Sequence, residues 1–114
     1  MTKKEKKLAQ QMGRAIAVRR QQNGLTQAAV AELIGVEQET ISRFERGATL
    51  PPLGRLNDIA DALKCPLECL LRDGSIRPED RAQDLLKTMQ GLSESDTLMI
   101  SEFVHRFCQR LKKK

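Results

Sequence analysis

The chain has 114 residues, room for one domain of ordinary size or a small domain with an extension. Apolar residues make up 39% and charged residues 31%, a balance that folds in water, and an aromatic content of 3% makes the core aliphatic. Lys and Arg number 20 against 15 Asp and Glu; the net charge of +5 and the pI near 9.4 favour a polyanionic partner. No stretch approaches the ~20 apolar residues that span a bilayer. The lysine-rich start runs into Leu8-Ala9-Gln10-Gln11-Met12, too polar for a secretion signal. With an odd count of 3 cysteines, which argues against a disulfide framework, the expectation is a reducing, cytoplasmic location and no membrane partner.

A first helix is expected from about Glu5 to Gln22, with Leu8, Met12, Ala15 and Ile16 inward and Asn23-Gly24 as its carboxyl cap. This end of the chain concentrates positive charge in Lys3, Lys4, Lys6, Lys7, Arg14, Arg19 and Arg20, opposed by Glu5 alone. Thr26 then caps a second helix, its hydroxyl accepting from the free amides of the first turn. Residues 25–47 have the spacing of two short helices crossing at a tight turn. The helices approach closely only if Ala31 is small, and Gly35 makes the turn because glycine reaches positive φ without steric cost. Val30, Ile34, Val36, Ile41 and Phe44 place one apolar stripe from each helix in a shared core.

That stripe orients the third helix at about 100° per residue. Ile41 and Phe44 point inward, so Glu39, Ser42, Arg43 and Arg46 face solvent, with Gln38 beside them at the amino-terminal end. Their chemistry suits the major groove of DNA. Arg43 matches guanine in a bidentate contact, Gln38 matches adenine, and Glu39 accepts from the cytosine amino group. Gln38, Glu39, Ser42 and Arg43 are therefore the expected base readers, while Thr40, Arg46 and Arg19 are expected at the DNA backbone or the flank of the contact. Because residues 25–50 carry Glu32, Glu37, Glu39 and Glu45 against Arg43 and Arg46, phosphate attraction has to come from the basic first helix and from helix amino termini.

Gly47 closes the third helix. Pro51-Pro52 opens a fourth, with Leu53, Leu56, Ile59, Ala60 and Leu63 on one face, and Pro66 opens a short fifth. Residues 73–78 combine turn formers with a proline and read as a linker between a domain at 1–72 and an extension at 79–114. The extension holds two amphipathic helices. Residues 79–90 repeat Ala82, Leu85, Leu86 and Met89; residues 93–111 repeat Met99, Ile100, Phe103, Val104, Phe107 and Leu111 behind a Ser93 cap. Two helices alone make no sizeable core, so these faces pack on the first domain, on each other or on a second copy of the chain, and dimerisation is the expectation.

Enzyme chemistry has little support: there is one histidine, no glycine-rich phosphate loop, and no serine or cysteine beside the histidine in sequence. Cys65, Cys69, His105 and Cys108 offer four zinc-type ligands, but apolar packing of the cysteines and a surface or interface position for His105 account for them, and no metal or other cofactor is expected.

Residues 8–72 resemble the phage-repressor and Cro-like helix-turn-helix family, the XRE family. The resemblance rests on Leu25-Thr26-Gln27, Ala31, Gly35, Ile41, Phe44-Glu45-Arg46-Gly47, Pro51, Leu56-x-x-Ile59-Ala60-x-Ala62-Leu63 and Leu70-Leu71. It implies an all-α, five-helix DNA-binding domain, here with a helical extension. It further implies a phosphate contact from Gln27, an ion pair between Arg20 and Glu45, and an apolar slot at Cys69. The expected function is that of a sequence-specific, nucleoid-associated regulator of transcription binding double-stranded DNA, a homodimeric repressor on an inverted repeat. An antitoxin that holds a protein partner through its carboxy-terminal helices, or a restriction-modification controller protein, are the alternatives. The family's basic residues after the third helix are absent from Ala48-Thr49-Leu50, and Glu39 adds a charge that repels phosphate.

Overall fold

The computed structural model describes residues 1–113; Lys114, the last of the lysine-rich end, lies outside them. Seven helices make up the regular structure of the described residues: α1 (Lys3–Gln22), α2 (Gln27–Ile34), α3 (Gln38–Glu45), α4 (Leu53–Ala62), α5 (Leu67–Asp73), α6 (Pro78–Thr88) and α7 (Glu94–Lys112). The class is the all-α arrangement read from the sequence, a five-helix repressor-like unit with a helical extension.

Helix α1 starts two residues earlier than expected because Thr2 and Glu5 form a capping box. The Glu5 amide donates to Thr2 Oγ1 at 3.1 Å and the Thr2 amide to Glu5 Oε1 at 3.4 Å. Thr26 Oγ1 caps α2 by accepting from the Ala29 amide at 3.0 Å. At the other end of α2, Gly35 takes φ 74°, and the Val36 amide closes back on the Ala31 carbonyl at 3.0 Å. A side chain at Gly35 would meet nothing, so glycine is there for its φ and not for space.

The core joins Met12, Ala15 and Ile16 of α1, Val30 and Ala31 of α2, Ile41 and Phe44 of α3, Leu56, Ile59 and Ala60 of α4, and Leu70 of α5. Leu63, at the end of α4, belongs to it as well, and Ile34 and Val36 close its edge. Each large aliphatic side chain so buried contributes about 1.5–3 kcal/mol. Leu53, assigned by pattern to the inward face, is exposed: it sits in the first turn of α4, before the core begins at Leu56.

The backbone of α1 lies directly on the end of α3. A Cβ at Gly13 would come within 2.3 Å of the Phe44 carbonyl oxygen and 2.5 Å of the Glu45 carbonyl oxygen. Gly47, at φ 73°, would meet the Gln10 Cα at 2.8 Å. Gly47 thus both ends α3 and admits α1; Gly13 has no counterpart in the sequence reading.

The chain divides into two compact units, Met1–Asp84 and Leu85–Lys114, and the division falls inside α6. The first unit runs past the linker expected at 73–78, which shortens to Gly74–Arg77. Two contacts carry it further. Ser75 Oγ donates to Asp80 Oδ2 at 2.7 Å, and Arg81 Nη1 donates to the Asp73 carbonyl at 2.9 Å, tying the start of α6 to the end of α5. In the second unit, Ser93 Oγ caps α7 by accepting from the Asp96 amide at 3.1 Å.

Two glycine substitutions separate the close approach from ordinary helix content. Gly13→Ala is expected to lower unfolding free energy by about 1–3 kcal/mol or more, since backbone carbonyls cannot move aside. Gly54→Ala, in open space within α4, is expected to raise it by about 0.5–1 kcal/mol. Urea unfolding of both variants checks the pair.

Candidate nucleic-acid interface

Helix α3 buries Ile41 and Phe44 and turns Gln38, Glu39, Arg43 and Arg46 to solvent, with Thr40 and Ser42 half-buried at the rim of that face. Its first turn has no side-chain cap; the Thr40 amide donates to the Glu37 carbonyl at 3.0 Å, and the amides before it are the free donors that the start of a helix offers an anion. Among the described residues, the side chains of Gln38 and Arg43 have no hydrogen-bond partner. Arg46 is engaged: its Nη2 donates to Glu39 Oε1 at 3.1 Å, and its Nη1 donates to Ser42 Oγ.

Beneath this face lies a second charged group. Arg20 Nε and Nη2 donate to Glu45 Oε2 and Oε1 at 2.7 and 3.0 Å, a bidentate pair whose side chains are only 13% and 7% exposed. Arg20 Nη1 also donates to the Leu25 carbonyl at 2.9 Å, and Gln27 Nε2 donates to Glu45 Oε1 at 3.0 Å. Helix α1, the start of α2 and the end of α3 are therefore joined through one carboxylate. Its hydrogen bonds, against the opposing effect of burial, hold the Arg20 guanidinium above its ordinary value. The amide of Gln27 is thus oriented by Glu45 at the amino end of α2.

Arg19, expected at the DNA backbone, has a different setting. Its Nε pairs with Asp73 Oδ2, and this hydrogen bond raises the Arg19 pKa. The Asp73 carbonyl accepts from Gln11 Nε2 at 3.1 Å, so the end of α5 is fastened to α1 at two points. Of the other basic residues of α1, Lys3, Lys4, Lys6, Lys7 and Arg14 are all exposed.

The cysteines differ among themselves. Cys65 and Cys69 are half-buried, and burial pushes the Cys65 thiol up. Cys108 is exposed, so packing does not explain it. His105 is exposed and lies 3.3 Å from Gln109 Nε2. No group of three or more His, Cys, Asp or Glu able to hold a metal occurs among the described residues, and no helix there is long and apolar enough to cross a membrane.

On α7, Met99, Phe103, Val104, Phe107 and Leu111 are exposed and Ile100 is half-buried. The Phe103 and Phe107 rings stack with centroids 6.1 Å apart and planes 7° apart.

Sequence reasoning missed the Gly13 contact, the Asp73 junction and the Glu39–Arg46 pair. The first two join residues far apart in sequence. The third left a trace, since Glu39, Ser42 and Arg46 recur at helical spacing. Removing one partner of the buried pair tests the junction: Glu45→Ala is expected to cost about 3 kcal/mol, as it leaves Arg20 uncompensated. Thermal unfolding monitored by circular dichroism checks this, and a cost below about 1 kcal/mol would show that the pair does not hold the helices together.

The helix-turn-helix domain family matches residues 11–72. An uncharacterised HTH-type transcriptional regulator, y4aM of Sinorhizobium fredii (strain NBRC 101917 / NGR234), is 40% identical over 53 residues. That stretch covers 46% of this chain and 37% of the relative, so the chain spans little more than a third of that protein's length. Among solved structures, the clp gene regulator ClgR from Corynebacterium glutamicum aligns with a TM-score of 0.59 at 24% identity, over 73% of this chain and 90% of that one. A chain of the SinR–SinI protein complex aligns with a TM-score of 0.51 at 21% identity, over 89% of this chain and 98% of that one. These two likenesses show the fold. The chain belongs to the helix-turn-helix domain family.

Proposed function

We propose that the chain is a homodimeric repressor that binds an inverted-repeat operator in double-stranded DNA, acting in the cytoplasm on the nucleoid. The observation that carries the reading is the outer face of α3, where Gln38 and Arg43 stand exposed and uncommitted while Ile41 and Phe44 lock the helix from beneath. Arg43 pairs with guanine, Gln38 with adenine, and Glu39 and Ser42 complete the base-reading set. Thr40 and Arg46 lie at the flank, and Gln27 meets phosphate at the amino end of α2.

The apolar row of α7 supports the dimer. Phe103 is 68% exposed and Phe107 51% in the single chain, and such a row is covered by a like helix in a two-fold assembly. A two-fold axis places two copies of α3 about one helical turn of DNA apart. Bound over a promoter, such a dimer excludes polymerase. The same row would suit the antitoxin reading, in which another protein takes the place of the second copy; a restriction-modification controller would use the same contacts.

Arg43→Ala is expected to weaken binding to the preferred duplex by about 1–3 kcal/mol and to relax preference at one base position. Equal loss on all sequences would contradict base reading by Arg43. Sedimentation equilibrium is expected to give a dimer for the native chain. The double variant Phe103→Glu, Phe107→Glu is expected to sediment as a monomer with unchanged helix content, whereas a native chain that stays monomeric at micromolar concentration would rule out the homodimer.

A further inference from the structure

The Glu39–Arg46 pair occupies the face that the proposed function turns toward DNA. Arg46 reaches back two turns, from the end of α3 to its first turn, and binds Ser42 on the way. The two charged side chains are 57% and 68% exposed, so the pair contributes little to folding. Its effect falls on binding instead. A guanidinium that meets a phosphate releases a condensed counterion, and an Arg46 held by Glu39 does not. Moving Arg46 to the backbone leaves Glu39 as a bare carboxylate facing the polyanion. That cost disappears only where a hydrogen-bond donor on a base edge, such as the cytosine amino group in the major groove, takes over the carboxylate.

Resting on the DNA-reading function proposed above, we infer that Glu39 is a specificity-determining residue that acts through Arg46. It withholds Arg46 from phosphate on non-cognate DNA and releases it where a base-edge donor replaces the guanidinium. Discrimination then comes from two coupled contacts, one to a base and one to the backbone, of which the second forms only after the first. Glu39, which reads as a misplaced negative charge in the sequence, becomes the element that stops Arg46 from binding every duplex equally.

The test measures affinity against salt for the full chain, for Glu39→Gln, for Arg46→Gln and for the double variant. The probes are two duplexes of equal length: one enriched from a random pool by the native chain, and a shuffled version of it. For the native chain, the plot of log affinity against log salt should be steeper on the enriched duplex by about 0.9, the equivalent of one additional phosphate contact. Glu39→Gln should steepen the slope on the shuffled duplex by a similar amount, which removes the difference between the two and lowers their affinity ratio. Once Arg46 is replaced by Gln, adding Glu39→Gln should relieve the repulsion of an unpaired carboxylate but should not add the further slope of about 0.9 on the shuffled duplex, since no guanidinium is left to release.

Two results would overturn the inference. One is an equal slope on both duplexes for the native chain. The other is a steepening of about 0.9 from Glu39→Gln that persists in the Arg46→Gln background, because the change would then not come from a released Arg46. A native chain that enriches no duplex overturns the DNA reading itself and the inference with it. Both side chains are exposed, so unchanged thermal unfolding is expected for all variants and separates any binding effect from a folding one.

Discussion

The contact of α1 with the end of α3 sets the geometry on which the rest depends. Gly13 lets the α1 backbone approach the last carbonyls of α3, and Gly47 lets the departing chain pass against Gln10. The bidentate Arg20–Glu45 pair spans the same junction, with the Gln27 amide on the same carboxylate. Hydrophobic burial is non-directional and would tolerate a rotated or shifted α3. Close backbone approach combined with a planar, two-point ion pair does not. The junction therefore decides which side of an eight-residue helix faces out, and hence which side chains can read DNA.

Much of this was legible in the sequence because it depends on local rules. The Thr26 and Ser93 caps, the left-handed Gly35 turn and the prolines before α4 and α5 act over a few residues, and the apolar stripes of α2 and α3 follow helical period. The Thr2–Glu5 capping box is equally local, though set among lysines that mask it in the pattern. What escaped depends on the tertiary arrangement. Nothing around Gly13 marks it as a contact and not a mid-helix glycine, and Arg19 reads as a free cation until α5 brings Asp73 beside it. Leu53 fits the apolar stripe of α4 and still misses the core, because periodicity gives direction around a helix and not where the core ends along it.

Charge is distributed in an unusual way for a chain that binds a polyanion. The excess positive charge lies on α1, whereas the reading face itself carries Glu39 beside Arg43 and Arg46, with Glu37 at the start of the helix. In the proposed reading, long-range attraction and base reading therefore fall to different surfaces. Attraction from the lysines is independent of sequence and weakens with salt; selectivity rests with a face whose charges nearly cancel. The second unit carries its own exposed apolar row on α7, the surface on which the proposed dimer rests.

The most direct test is selection of the purified chain against a pool of random DNA duplexes at near-physiological salt, with the enriched sequences determined. The account predicts an inverted repeat with half-sites about one helical turn, ~10 base pairs, apart. Enrichment of a single, unrepeated half-site would contradict the two-fold arrangement, and a folded chain that enriches nothing would contradict the assignment of α3 as a reader of DNA sequence.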